Sequence, residues 1–153
     1  MPLLAQNKKA NFDYQLIENY EAGLVLLGHE VKAVRAGQVS LKGSFISIRT
    51  KNGRTELYLI NCQISPYKSA GPLPGYNQHR ERKLLLKRSE ISHLLGKKQT
   101  EGLTLIPLKL YTNHSFLKLE FAVAKGKKKY DKRDAIKKRD VDRQIRSLTK
   151  RKQ

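Results

Sequence analysis

The sequence predicts a mainly β protein, with one antiparallel β domain followed by a short basic segment. Three observations favour this fold class. Short runs of alternating apolar and polar residues recur along the chain, which is typical of half-buried strands. Clusters of residues that favour turns separate these runs. The chain has 153 residues, 39% of them apolar, which is enough for one domain with a hydrophobic core.

The first strands are predicted near the start of the chain. Phe12, Tyr14 and Leu16 alternate with polar residues, as in a half-buried strand. Residues 21–23 are interpreted as a turn, which leads into a second apolar run at residues 24–27.

The clearest predicted element is a hairpin that joins strands at residues 44–51 and 54–62. Its turn is Asn52-Gly53, a dipeptide that tolerates the positive φ angles of a two-residue type I′ turn. The pattern therefore predicts two adjacent antiparallel strands here.

A second hairpin is predicted from residues 103–112 and 115–124, with Asn113-His114 as its turn. Pro107 has no amide hydrogen to donate to a strand ladder. We therefore expect it at a sheet edge or at a bulge.

Two short helices are predicted outside the sheet. The first covers Gly28–Arg35 and ends before Gly37. The second covers residues 89–95, with Ser89 as its N-cap and Gly96 just past its end.

Six or seven short strands and two outer helices predict a closed antiparallel barrel, OB-like in size, over residues 1–124. Residues 125–153 form a basic C-terminal tail, which carries 14 of the 32 Lys and Arg residues and 4 of the 13 Asp and Glu residues. A helix in this tail would have few packing contacts. We expect the tail to be disordered in the free protein and to order on RNA.

The net charge of +19 points to an anionic partner. Nucleic acid, an anionic membrane and an acidic protein are the three classes to consider. The apolar runs are too short to span a bilayer, and the first residues lack the features of a secretory signal. With Cys62 as the lone cysteine, these features favour a reduced, cytoplasmic protein that does not associate with a membrane.

An enzymatic function is not expected. The four histidines are scattered, and none has metal-ligand spacing to another histidine or to the cysteine: His29, His79, His93 and His114. Residues 71–75 contain prolines where a phosphate-binding loop would need amide donors. We therefore expect no catalytic residues, no metal and no cofactor.

The excess of cations favours a nucleic acid, whose phosphates they would neutralise. The chain has no Trp, and 7% of its residues are aromatic. Phe12, Tyr14, Phe116 and Phe121 fall in predicted strands, where we expect core residues rather than a stacking surface for bases. These features favour a folded RNA, recognised through its shape, phosphates and 2′-hydroxyls.

Three ordered segments of the chain resemble one known family. They are EAGL at residues 21–24 together with GHEVKAVRAG at 28–37, RERKLLL at 80–86, and AKGKKKYDKR at 124–133. Together they closely resemble SmpB, small protein B, the family of bacterial tmRNA-binding (SsrA-binding) proteins of trans-translation. The resemblance covers residues from about 7 to 146.

The resemblance implies an OB-like antiparallel barrel with outer helices and a basic tail. It implies binding to the tRNA-like domain of tmRNA and, with elongation factor Tu, delivery of alanyl-tmRNA to ribosomes stalled on truncated messages. The tail would enter the decoding centre and the empty mRNA channel and become helical there. The expected partners are tmRNA and the ribosome, with elongation factor Tu reached indirectly through alanyl-tmRNA, and the protein is expected to be a monomer.

The resemblance also identifies residues expected to contact the tRNA-like domain: Asn7, Glu21, Lys32, Arg35, Arg82, Lys83, Leu85 and Lys87. Glu21 would accept hydrogen bonds from base amino groups or 2′-hydroxyls, or orient a cation; a carboxylate that stabilises a turn is the alternative. For Leu85, two interpretations stay open: a side chain in the hydrophobic core or a side chain that contacts the RNA. Lys87 stands where the family has Asn or His, and a lysine favours a phosphate over a base edge. For Lys32 and Arg35, a charge network on the helix surface is the alternative.

In the tail, the residues expected to engage the ribosome are Gly126, Lys127, Lys128, Tyr130, Asp131, Lys132, Arg133, Ile136, Lys138, Arg139 and Arg143. Tyr130 stands where the family has an aromatic residue or His, so its ring is expected to stack on a base of small-subunit rRNA. A generic basic tail is the alternative.

Two other classes of function are open to a small basic protein. A structural ribosomal protein would also be small and basic, but it would sediment with every subunit rather than bind tmRNA. An enzyme that modifies or cleaves RNA would turn RNA over, whereas the expected adaptor binds it stoichiometrically.

Overall fold

The computed structural model of the chain describes residues 3–99 and 102–126. The strands are β1 (Leu3–Gln6), β2 (Tyr14–Leu24), β3 (Val39–Ser40), β4 (Phe45–Lys51), β5 (Arg54–Ile60), β6 (Gln63–Ile64), β7 (Arg82–Leu85), β8 (Leu103–Asn113) and β9 (Phe116–Gly126). The helices are α1 (Ala10–Asp13), α2 (Gly28–Arg35) and α3 (Arg88–Lys98), with a 3₁₀ helix at Lys68–Ala70. The prediction of a mainly β fold is confirmed.

Seven of the strands form one antiparallel sheet in the order β1-β8-β9-β2-β7-β5-β4, while β3 pairs with β6. The sheet curls far enough for β4 to lie near β8. Within the described residues its hydrogen-bonded order ends at β1 and β4, so the predicted closure into a barrel is wrong. β3 and β6 pair with each other rather than with β1 or β4, so none of the described strands joins the two edges by hydrogen bonds.

The inner face of the curled sheet holds the core. Leu57, Leu84 and Phe121, from three of its strands, are each at most 2% exposed. Val34 of α2 and Leu94 of α3 belong to the same apolar cluster. The two helices therefore cover the inner face. On the opposite face α1 packs against part of the sheet in a second, smaller apolar cluster, and the rest of that face is left for other contacts.

The second strand differs from its prediction at both ends. Phe12 lies in α1, so β2 begins at Tyr14. Residues 21–23, predicted as a turn, continue β2 and pair with β9. Of the apolar run predicted to follow, Leu24 alone belongs to the strand. Pairing with β9 and β7 satisfies the backbone groups of this segment and overrides its local preference for a turn.

Both predicted hairpins are present. Asn52 and Gly53 join β4 and β5 with φ angles of 53° and 76°, as a type I′ turn requires. The β8–β9 turn lies one position later than predicted, with φ angles of 50° at His114 and 70° at Ser115. Pro107 lies at a register shift in the β8–β9 pairing, so its predicted place at a bulge is confirmed.

The predicted bounds of α2 are confirmed, whereas α3 is longer than predicted. Its N-cap is Lys87 rather than Ser89, and Gly96 lies inside the helix. The carboxylate of Glu90 accepts the Lys87 amide hydrogen at 3.2 Å, which satisfies a backbone donor at this end. The predicted serine cap is therefore wrong.

Candidate nucleic-acid interface

Three residues expected to contact RNA share the outer face of the sheet. β2 pairs with β7 so that Gly23 lies opposite Leu85. Side chains two positions apart on a strand point to the same face, which places Glu21 with Gly23 and Lys83 with Leu85. Leu84, between Lys83 and Leu85, is 2% exposed, whereas Leu85 is 51% exposed. We call the surface formed by Glu21, Gly23, Lys83 and Leu85 the outer patch.

The glycine of the outer patch leaves space for the leucine. A Cβ atom at Gly23 would lie 3.4 Å from the Cβ atom and 3.6 Å from the Cδ1 atom of Leu85. With a hydrogen in that place, Leu85 lies beside β2 without crowding and keeps half of its surface exposed. Of the two interpretations left open by the sequence, the structure favours an exposed Leu85 over a core residue.

Lys83 belongs to a network of charged side chains on and beside β4, β5 and β7. Its Nζ atom lies 3.1 Å from Oε1 of Glu56. The hydroxyl of Tyr58 donates a hydrogen bond to Glu56, and the guanidinium carbon of Arg49 lies 5.1 Å from the centre of the Tyr58 ring. Arg49 also donates hydrogen bonds of 2.6 and 2.7 Å to Glu81. Side-chain partners therefore orient the cations of this face before any ligand binds.

The carboxylates of this network are ionised at neutral pH. The hydrogen bond from Tyr58, followed by that from Lys83, lowers the pKa of Glu56 below its usual value. The hydrogen bonds from Arg49 lower the pKa of Glu81 in the same way. A phosphate that binds Lys83 therefore has to compete with an ionised Glu56.

The structure places Arg82 differently from the prediction of an RNA contact. Because Lys83 faces outward, its neighbour Arg82 faces inward, and it is 0% exposed. Its guanidinium donates to Glu30 at 2.5 and 3.0 Å, and to the carbonyl oxygens of Cys62 at 2.5 Å and Gln78 at 3.0 Å. A guanidinium with no exposed surface does not reach a phosphate. Arg82 therefore stabilises β7 from the inner side of the sheet, opposite the outer patch.

Glu30 of α2 is the centre of this buried network and is also 0% exposed. It accepts hydrogen bonds from the Tyr76 hydroxyl at 2.9 Å, from the Leu27 amide at 2.9 Å and from Arg80. Burial by itself raises the pKa of Glu30, but the hydrogen bonds that it accepts, first of all from Arg80, outweigh burial and lower the pKa to about 2. The ionised Glu30 ties α2 to β7, the strand that carries half of the outer patch.

Asn7 and Glu21 have different amounts of free hydrogen-bonding capacity. The side-chain amide of Asn7 donates a hydrogen bond of 3.0 Å to the carbonyl oxygen of Pro107. The backbone amide of Asn7 donates one of 2.8 Å to the carbonyl oxygen of Leu108. Asn7 therefore attaches the start of the chain to the bulge of β8. Glu21 is exposed and accepts a hydrogen bond from the Tyr111 hydroxyl through one oxygen. Its position within β2 rules out the turn-stabilising role.

The three remaining predicted cations of the body are all exposed. Arg35 donates a hydrogen bond of 2.6 Å to the carbonyl oxygen of Ser115, in the β8–β9 turn. Lys32 forms no ion pair among the described residues. Lys87 follows the outer patch along the chain, two positions after Leu85. The structure thus separates these cations into one group on α2 and one beside the outer patch.

Gly126 is the last residue of β9, where it is exposed and lies opposite Tyr14 of β2. The other predicted tail residues lie outside the described residues: Lys127, Lys128, Tyr130, Asp131, Lys132, Arg133, Ile136, Lys138, Arg139 and Arg143. Their roles stay predictions.

Comparison with known proteins shows to which family the chain belongs. The family model described as SmpB protein matches residues 4–151 of the chain. The chain belongs to the SmpB family.

Curated relatives and a solved structure agree with this SmpB assignment. The SsrA-binding protein of Anoxybacillus flavithermus is 50% identical over 143 residues, which cover 94% of this chain and 90% of that protein. The SsrA-binding protein of Thermosipho melanesiensis is 49% identical over 151 residues, covering 98% and 99%. A solved structure described as "tmRNA-SmpB: a journey to the center of the bacterial ribosome" has a TM-score of 0.64 and 43% identity, and covers 86% of this chain and 92% of that one.

Two features of this SmpB chain were not found from the sequence. The first is the pair Glu56 and Tyr58, which orients Lys83. The Asn52-Gly53 turn fixes the register of β4 and β5, but no local signal shows that β5 also pairs with β7. The second is the position of Phe116, whose side chain is 68% exposed although a core position was expected.

The described residues of this SmpB chain contain no group of three or more His, Cys, Asp and Glu side chains that would hold a metal ion. Among residues 3–99 and 102–126, every helix is too short or too polar to span a bilayer. Cys62 is 0% exposed, and burial raises the pKa of its thiol to about 11. The thiol is therefore protonated at neutral pH, as expected for an inert core cysteine.

Proposed function

We propose that this chain is a non-enzymatic tmRNA-binding protein of trans-translation. In this proposal the outer patch contacts the tRNA-like domain of tmRNA, and the segment after Gly126 enters the decoding centre and empty mRNA channel of a stalled ribosome. One observation carries the proposal. Glu21, Lys83 and Leu85, identified by their family motifs, share one exposed face of two adjacent strands.

Each side chain of the outer patch supplies a different kind of RNA contact. Lys83 binds a phosphate, and Leu85 packs against a ribose or a base. Glu21 accepts a hydrogen bond from a base amino group or a 2′-hydroxyl, since a carboxylate would repel a phosphate. When Lys83 binds a phosphate, its ion pair with Glu56 is exchanged for one with the RNA.

The other predicted residues have supporting roles. Lys87 adds a phosphate contact beside the outer patch, and Lys32 and Arg35 form a second cationic surface on α2. Arg82 acts as a positioning residue, because it fixes β7 through Glu30.

The protein acts as a cytoplasmic monomer and reaches elongation factor Tu through alanyl-tmRNA. Its curled sheet is an open variant of an OB-like barrel. Lys125 and Gly126, assigned to the tail from the sequence, belong to β9, so the segment proposed to engage the ribosome is the one after Gly126.

Lys83→Glu is expected to weaken binding to purified tmRNA and to flatten its salt dependence. The substitution removes one cation and places a second carboxylate beside Glu56. The slope of log affinity against log salt is expected to fall by about two phosphate-equivalents at most. The measurement is a titration of tmRNA with full-length protein at several salt concentrations.

The matched control for this titration is Lys68→Glu, which makes the same charge change on the exposed 3₁₀ helix. It is expected to alter the affinity and the slope much less. If both variants weaken binding equally, general charge explains the effect and Lys83 does not belong to the site.

A further inference from the structure

A groove next to the outer patch contains two arginines, Arg54 and Arg88, that have no role in the proposed set of contacts. It lies between the β4–β5 turn and the first part of α3 and has a volume of about 520 Å³. Its walls carry three cationic side chains, those of Arg54, Lys83 and Arg88. Lys83 and Leu85 belong both to the outer patch and to this groove, so the two surfaces are continuous.

The positive charge of the groove is only partly compensated, because three cations share one carboxylate among its described lining residues. Glu56 is the one carboxylate among its described lining residues, and it is already bound by Lys83 and Tyr58. Arg54 and Arg88 are exposed, and neither takes part in an ion pair among the described residues. Two guanidinium groups therefore face the groove with their donors available.

The shape and chemistry of the groove fit the backbone of an RNA strand. Its lining includes Leu86 and Ile91, partly exposed apolar side chains against which ribose rings can pack. A guanidinium binds phosphate oxygens through two parallel hydrogen bonds, so an arginine is well suited to a phosphate in a fixed position. An acidic protein segment would also suit the charge, but the continuity with the outer patch favours the RNA that binds there.

We infer that the tmRNA strand bound at Lys83 continues into this groove, where Arg54 and Arg88 each bind one backbone phosphate. This inference rests on the proposed function. It adds two contact residues that lie outside the three family segments recognised in the sequence. It also explains why the β4–β5 turn and the start of α3 both present arginines to one groove.

The test is a salt-dependent titration of purified tmRNA with Arg54→Gln, Arg88→Gln and the double variant. Each single variant is expected to bind roughly five- to tenfold more weakly and to lower the log–log salt slope by about 0.7–0.9; the double variant is expected to lose about twice as much slope. Arg54→Lys keeps the charge, so it is expected to keep the slope while losing part of the affinity. Lys68→Gln, on the 3₁₀ helix, is the matched control and is expected to change binding much less.

Both arginines are exposed, so the variants are expected to unfold at the same urea midpoint as the parent, which is measured alongside. A double variant that binds tmRNA with unchanged affinity and slope would refute the inference, and the proposed function would stand. Normal tmRNA binding with weakened ribosome binding would also refute it, because the groove would then bind rRNA. Failure of the unmodified protein to bind tmRNA would instead refute the proposed function.

Discussion

Glu30→Gln is expected to lower the free energy of unfolding by about 3–5 kcal/mol, the usual cost of removing one partner from a buried ion pair. The carboxylate is fully buried, and it accepts hydrogen bonds from Arg82 at 2.5 and 3.0 Å and from Tyr76 at 2.9 Å. Glutamine has a similar shape, but it turns an amide donor toward guanidinium donors and leaves Arg82 buried without a counter-charge. Urea unfolding of the variant and the parent measures the difference.

The matched control is Glu81→Gln, which breaks an exposed carboxylate–guanidinium pair with Arg49. Because exposed pairs are solvated and screened, this variant is expected to change stability little. Equal losses in the two variants would contradict the central role of the buried network.

The pH dependence of stability follows from the same carboxylate. The pKa of Glu30 is about 2 in the folded protein, against a reference value of 4.5. A carboxyl group whose pKa is lowered by folding stabilises the fold above the unfolded pKa, and this contribution is lost as the pH falls through the folded value. The contribution of Glu30 is therefore expected to decline between about pH 4.5 and pH 2, and Glu30→Gln is expected to lack this component.

Deletion of residues 131–153 is expected to leave tmRNA affinity nearly unchanged and to abolish tagging of stalled nascent chains. In the proposed function, the tmRNA contacts lie on the β domain, before Gly126. The segment after Gly126 binds the decoding centre and the mRNA channel of the ribosome. Filter binding measures the first property, and a translation reaction on a message without a stop codon measures the second.

Lys83→Glu serves as the complementary control for the deletion. It is expected to weaken tmRNA binding while its tail is intact, so the two variants should fail at different steps. Loss of tmRNA binding in the deletion variant would contradict the assignment of RNA binding to the body.

Local sequence signals predicted those elements of the fold that are fixed locally. Asn52-Gly53 specifies its hairpin because both residues tolerate positive φ angles, which is a property of the dipeptide itself. In contrast, residues 21–23 carry a turn-like composition but are held in β2 by pairing with β9. Closure of the sheet was also not predictable, since it depends on whether distant strands meet at the edges.

The candidate site shows the same division between local and long-range information. The family motif identified Lys83 and Leu85, and strand alternation explains why both are on the outer surface. The motif could not show that Arg82, one position earlier, is buried against Glu30, which lies 52 positions away in the sequence. The groove with Arg54 and Arg88 was missed for the same reason, because it forms only when the β4–β5 turn and α3 are brought together.

In the proposed function, the outer patch is the surface that binds tmRNA. The most direct test of this binding is affinity purification of the full-length protein from its own cells, followed by removal of ribosomes and sequencing of the retained RNA, with Lys83→Glu purified in parallel. We expect tmRNA to be the main RNA retained by the unmodified protein and the variant to retain much less of it. If rRNA is recovered with every ribosomal subunit and tmRNA is not enriched, the outer patch is not a tmRNA-binding surface and the protein is a structural ribosomal protein.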